Sequence, residues 1–161
     1  MLKKICSGGQ TGADLGGLIV AKMFGIETGG WMPKGFMTQH GPKPEWAKKY
    51  NLQEHESPKY PPRTFCNIEN SDGTIRLAYD LLSAGEKCTL KGIQKYDKPY
   101  IDVDMNEPRD IQEVVDWINE NNIETLNVAG NSERTRPGMS IGVVDYMSKV
   151  FEKLGFQRKD G

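Results

Sequence analysis

Apolar residues along the chain fall into two patterns, short runs bounded by glycine and longer stretches where they recur every three or four positions. The first pattern is that of buried strands and the second that of amphipathic helices. Leu2 to Cys6 reads as a short strand that passes straight into glycine and then into a helix with Leu15, Leu18, Ile19 and Met23 on one face. Gly25 stops that helix, and Ile26 to Trp31 reads as a very short second strand. Later, Thr74 to Tyr79 predicts a strand, a helix leads from the small-residue loop Ser83–Gly85 to about Tyr96, and Lys98 to Val103 resumes as a strand. Ile111, Val114, Val115 and Ile118 fall at helical spacing behind a capping pair, Asp110 and Glu113. Thr125 to Ala129 is the last strand, followed by a helix that takes Pro137 into its first turn and buries Val143, Met147, Val150 and Leu154. This β, α, β alternation predicts an α/β fold with a mostly parallel central sheet.

Two stretches interrupt the rhythm. Between Pro33 and Pro62 the chain carries six of its nine prolines and both histidines, with little periodicity apart from a short helix around Glu45 to Tyr50. The segment predicts a long irregular excursion at about 33–62, either a cover over a site or an arm on a neighbouring subunit. His40 and His55 are not spaced as ligands on one element and read as surface or packing residues. Arg63 to Ile68 alternates, which predicts an extended segment leading through the turn Asn70–Gly73 into the next strand. Asp72 is first a turn residue and second a partner for a ligand hydroxyl. Arg63 is a candidate clamp for a phosphate or carboxylate, with a plain ion pair as its alternative.

Composition narrows the partners. A chain of 161 residues suits one domain, 1–161, and 21 basic against 22 acidic residues give a net charge of −1, with no global field for nucleic acid or an anionic membrane. Cys6, Cys66 and Cys88 are widely spaced and odd in number, which argues against a disulfide framework or a zinc site, and with no His/Cys ligand cluster no protein-ligated metal is expected. The N-terminus reaches glycine too soon for a signal peptide, and no run approaches a membrane span, so a soluble cytoplasmic protein is expected.

Two glycine loops between a strand and a helix carry the candidate chemistry. In the first, Gly8, Gly9, Gln10, Thr11 and Gly12 precede a helix start whose unpaired N–H groups suit an anion, and Asp14 lies in its first turn. Neither the dinucleotide spacing nor the Walker pattern is present, so a tight βα connection remains the alternative. The second, Gly130, Asn131, Ser132, Glu133, Arg134, Arg136 and Gly138, adds two permanently charged planar donors and a carboxylate. If the two loops lie at adjacent strand ends they face one crevice, which Lys34 can also reach.

Taken together, Ser7–Asp14, Thr28–Gly35, Gly41–Glu45, Arg63–Thr64, Asn67 with Ser71–Thr74, and Ala129–Gly138 resemble the family of proposed molybdenum (molybdenum-cofactor) carrier proteins. That family belongs to the circularly permuted branch of the Rossmann-like SLOG superfamily. The resemblance implies a three-layer α/β/α fold, a site for a phosphorylated or nucleotide-like ligand at the glycine loops, and a homo-oligomer, dimer or tetramer. The proposed cargo, molybdenum cofactor, is a phosphorylated pterin that holds its metal through its own sulfurs. Two alternatives stand beside the carrier: an enzyme cleaving a nucleotide N-glycosidic bond, with Asp14 and Glu133 as candidate catalytic carboxylates, and a scaffold without a ligand.

Overall fold

The computed structural model describes residues 1–159. Its centre is a six-stranded parallel sheet in the order β5-β2-β1-β8-β6-β7. These strands are β1 (Lys4–Cys6), β2 (Glu27–Met32), β5 (Leu52–Glu54), β6 (Gly73–Ala78), β7 (Tyr100–Asp104) and β8 (Thr125–Gly130). A separate two-stranded hairpin, β3 (Met37–Thr38) and β4 (Gly41–Pro42), lies outside it. The helices are α1 (Ala13–Met23), α2 (Pro44–Tyr50), α3 (Tyr60–Glu69), α4 (Ala84–Tyr96), α5 (Ile111–Glu120) and α6 (Met139–Lys153).

Handedness assigns the helices to layers. Parallel crossovers are right-handed, so a connection stepping one way across the sheet places its helix on one face, and a connection stepping back places it on the other. The steps β1 to β2, β2 to β5 and β7 to β8 run in one direction and carry α1, α2 and α5; the steps β5 to β6 and β6 to β7 run in the opposite direction and carry α3 and α4. The packing agrees: α6 packs on both α1 and α5, while α3 packs on α4 across the sheet. The main core fills the α1/α5/α6 face, with Phe24, Leu77, Val114, Val128, Val143 and Phe151 almost fully buried. A smaller cluster of Leu18, Met32, Tyr50 and Leu52 seats α2. Strand β6, covered on both faces, is buried at every position.

Three expectations are corrected. Arg63 to Ile68 is not extended; it lies inside α3, where Pro61 and Pro62 supply a pre-set first turn and Arg63, Asn67 and Ile68 share the buried side. A run of six residues alternates by chance as readily as by strand geometry, and the prolines ahead of it were the better signal. The 33–62 segment is less irregular than expected: besides the short helix that the sequence indicated, present as α2, it holds a 3₁₀ turn at Lys34–Phe36, the β3–β4 hairpin and the edge strand β5. Pro137 stands outside α6, because Gly138 at φ 87° breaks the chain direction before Met139.

Asp72 lies at the N-terminal rim of the sheet, opposite the glycine loops. Its carboxylate accepts from the backbone N–H of Glu124 (3.0 Å) and Thr125 (2.9 Å), tying the start of β6 to the start of β8. It takes no part in the crevice.

Candidate functional site

Because β1 and β8 are parallel neighbours, the loops leaving them emerge side by side at the C-terminal rim. They are stitched to each other: Ala13 N–H donates to the Asn131 carbonyl at 2.9 Å, and Glu133 N–H donates to Thr11 Oγ1 at 3.3 Å. Gly12, at φ 87°, makes this approach possible, since a Cβ there would fall against the Asn131 carbonyl oxygen.

The first loop also satisfies its own donors. Gly9 N–H donates to Ser7 Oγ (3.3 Å), Gln10 N–H to Asp14 Oδ2 (3.2 Å) and Thr11 N–H to Gln10 Oε1 (2.9 Å), which also accepts from Gln39 N–H at 2.9 Å. The carboxylate of Asp14 thus stands where an external anion is expected at a helix N-terminus.

The open space lies on the other side of these loops, over the C-terminal ends of β1 and β8 and between the first turns of α3 and α4. It is a cavity of about 390 Å³, within the range of about 300–1,000 Å³ usual for small-molecule sites. Its position follows from the topology, because β8 and β6 are neighbours whose following helices leave to opposite faces of the sheet.

Two charged side chains shape the walls. Arg63, projecting from α3, lies across Gly8, leaving no room there for a Cβ, and its guanidinium faces the Tyr60 ring at 5.3 Å. Nη1 donates to Thr64 Oγ1 at 2.9 Å and lies 3.7 Å from Asp14 Oδ2, while the buried Nε has no partner. Across the cavity, Glu86 in the first turn of α4 is 2% exposed. Its Oε2 accepts from Ser83 Oγ and Asn131 Nδ2, both at 3.2 Å, and its buried Oε1 has no partner. Behind it, Arg76 of β6 makes a bidentate pair with Asp102 at 2.7 Å and donates to the Glu86 carbonyl at 3.0 Å.

Burial pushes the Glu86 carboxyl up to about 7; Asp14 adds to this, and Ser83, Arg76 and Asn131 oppose it. Burial likewise raises Asp14, against the pull of Arg63 and of the Gln10 and Gly8 backbone N–H groups. The site therefore holds two carboxyl groups whose ionisation burial opposes, beside one guanidinium. Such an arrangement can donate, accept and balance an anionic ligand.

The candidates from the sequence divide sharply. Gly8, Gln10, Asp14, Arg63, Gly130 and Ser132 line the cavity. Gly9 faces Met32 and Leu52, Thr11 and Gly12 knit the two loops together, and Asn131 sits behind the wall, holding Tyr79 N–H, Asp80 N–H and Glu86 at once. Glu133 does not reach the cavity: its two carboxylate oxygens accept from the N–H groups of Gly138 and Ser140, both at 3.1 Å, so it caps α6. Arg136 stacks on Tyr79 at 4.1 Å, Arg134 is exposed, and Lys34 is exposed in the 3₁₀ turn. None of these three side chains lines the cavity.

Glu86 was missed. Its signal was present, since Glu86, Thr89 and Ile93 share one face of α4, a carboxylate in register with a core isoleucine. Among the described residues no group of three or more His, Cys, Asp or Glu is placed to hold a metal ion. No described helix is long and apolar enough to cross a membrane.

Residues 5–151 match the model of the circularly permuted YpsA SLOG family. The chain belongs to that family. A crystal structure of a protein named Putative molybdenum carrier protein, from Syntrophus aciditrophicus SB, is 34% identical over 93% of this chain and 94% of its own, with a TM-score of 0.84. No curated protein matches the chain. Membership of the SLOG family agrees with the three-layer architecture and with the resemblance read from motifs along the whole chain.

Proposed function

We propose that the protein binds a phosphorylated, nucleotide-like small molecule in the cavity between α3 and α4 and holds it unchanged, with molybdenum cofactor as cargo. The observation that carries this reading is Arg63, a buried guanidinium on the cavity wall whose Nε–H has no acceptor. A buried donor left unpaired costs about 1–3 kcal/mol, and more when charged, so a ligand oxygen placed there gains that amount on top of its own contacts. The polar lining adds the hydroxyl of Thr64, which accepts from Arg63 and keeps its own O–H to donate, whereas the amides of Asn67 and Asn127 are held by the Trp31 backbone and by Thr74. The name given to the solved relative points to the same cargo.

Melting temperatures of the wild type and Arg63→Lys with molybdopterin, nucleoside 5′-monophosphates and sugar phosphates test the reading. Stabilisation of the wild type that is reduced in the variant supports it. No shift with any of these compounds refutes it. Sedimentation of the protein with and without ligand reads the dimer or tetramer that the resemblance implies.

One observation favours a second reading, cleavage of a nucleotide N-glycosidic bond. Two carboxyl groups raised by burial, Asp14 and Glu86, face one cavity, with Glu86 in the place the sequence had suggested for Glu133. Release of free base from a nucleoside monophosphate, abolished in Asp14→Asn, identifies it.

A further inference from the structure

Outside the contacts already assigned to the ligand, one atom in the cavity is unexplained. Glu86 Oε1 is buried, belongs to a residue on the cavity wall and has no hydrogen-bond partner, whereas Oε2 of the same carboxyl is held by two donors. Burying a carboxyl group and leaving one oxygen without a hydrogen bond is costly, and a polar group brought into the cavity would relieve that cost. We infer that Glu86 contacts the ligand directly through Oε1, and that Ser83 and Asn131 position it by fixing Oε2. The inference rests on the binding reading above and sharpens it by naming a specificity-determining residue.

The geometry also sets which partner Oε1 takes. Ser83 Oγ–H and Asn131 Nδ2–H both donate to Oε2, so any proton on the carboxyl resides on the unpartnered Oε1. Four charged or titratable groups face Glu86 from the packed elements: Asp14 from α1, Arg63 from across the cavity on α3, Arg76 from β6, whose charge Asp102 of β7 neutralises, and Cys88 from α4 itself. Burial and Asp14 favour the protonated form, and a phosphorylated ligand adds negative charge that favours it further. Glu86 therefore enters the complex as a neutral acid that donates to a carbonyl or phosphoryl oxygen. The cavity selects a ligand that offers acceptors to both walls, one to Arg63 Nε–H and one to Glu86 Oε1–H.

Glutamine separates this role from a structural one. In Glu86→Gln the donors of Ser83 and Asn131 hold the amide oxygen at the Oε2 position and leave the amide N–H₂ at the Oε1 position, a permanent copy of the protonated acid. Calorimetric titration of the full chain with AMP, GMP, CMP, UMP and molybdopterin, on both sides of the pH of about 7 at which Glu86 ionises, gives the test. Wild-type affinity is expected to weaken as pH rises through that value. Glu86→Gln is expected to lack that loss and so to bind more tightly than the wild type above that pH, and Glu86→Ala to bind about tenfold or more weakly than Glu86→Gln throughout. A phosphate titrating near about pH 6 contributes the same slope to both proteins, so the difference between them isolates Glu86. Probes that bind with the same pH slope in the wild type and in Glu86→Gln, or that bind Glu86→Ala normally, overturn this inference and leave the binding reading standing. If no probe binds the wild type, both fall.

Discussion

Two helix starts meet at this site and treat their donors in opposite ways. At α1 the glycine loop that resembles an anion cradle is occupied by its own chain: Asp14 takes Gln10 N–H, Ser7 takes Gly9 N–H, Gln10 takes Thr11 N–H and the Asn131 carbonyl takes Ala13 N–H. At α4 the stretch Ser83–Gly85 looks plain in sequence, yet it lines the cavity and leads into Glu86, whose Oε1 has no hydrogen-bond partner. Glycine at a helix start therefore reports two different needs. At α1 it lets two loops close on each other, and at α4 it leaves room.

The largest effect expected from this contrast is at Gly12. Alanine there combines a positive φ of 87° with a Cβ driven into backbone atoms of Asn131 and Ser132, which cannot shift as a side-chain tip can. A side chain held at positive φ with ψ near −127° costs about 1–3 kcal/mol and the backbone overlap more, so Gly12→Ala is expected to lose at least about 3 kcal/mol. For a chain of this size that lowers the melting temperature by about 6–12 °C, measurable by calorimetry. A variant that melts like the wild type shows that the stitching of the two loops is unimportant.

Asp14→Ala comes next. It removes the anion that caps α1 and leaves Arg63 buried without its partner, a loss of about 3 kcal/mol when one member of a buried pair is deleted. The variant also empties an anion site. Added inorganic phosphate is then expected to raise its melting temperature more than that of the wild type, by mass action on the folded state. An equal response in the two proteins contradicts the idea that Asp14 stands in for an external anion.

How much of this was legible in the sequence follows from the range of the interactions involved. Helix α5 was readable because its signal is local, four apolar residues at helical spacing behind Asp110, whose carboxylate does accept from Gln112 N–H at 2.8 Å. The parallel sheet was readable because strand-like runs alternate with helical ones along the chain. Helix α3 was not, since Arg63 to Ile68 is too short to establish a period, and what holds it is contact with α4 and β2, far away in sequence. The site was half legible for the same reason. Gly8, Asp14 and Arg63 carry chemistry in their residue types, but the occupation of Gln10 N–H by Asp14 and of Gly138 N–H by Glu133 is set by side-chain geometry. Glu86 gained its environment from Asn131, 45 positions away.

Glu86→Gln sharpens the α4 side of the comparison in the free protein. The carboxyl titrates near 4.5 when unfolded and at about 7 when folded, so the native state holds its proton over that interval. Its contribution is fully present below the lower value and is lost as pH rises through the upper one. An upward shift of this size corresponds to about 3 kcal/mol at most, since each unit is about 1.4 kcal/mol. Glutamine cannot ionise, so the variant is expected to be the more stable protein above pH 7 and to lose that advantage towards acid pH. Denaturant midpoints measured across the range check it; a gap that does not change with pH shows that Glu86 ionises as freely in the fold as in the unfolded chain.

The smallest effect is the complement of the first. Gly85 lies in the first turn of α4, and a Cβ built there meets nothing within 4 Å. Alanine restricts the unfolded chain and favours the helix, so Gly85→Ala is expected to stabilise by about 0.4–1 kcal/mol, where the same change at Gly12 is disruptive. The gain in melting temperature is only a few degrees, about 1–4 °C. Its sign matters more than its size: a glycine kept for backbone strain loses stability on this change, and one that merely leaves the mouth of a cavity clear does not. If Gly85→Ala gains stability while weakening the binding of the probe that the wild type accepts, the open space beside Glu86 is there for the ligand rather than for the fold.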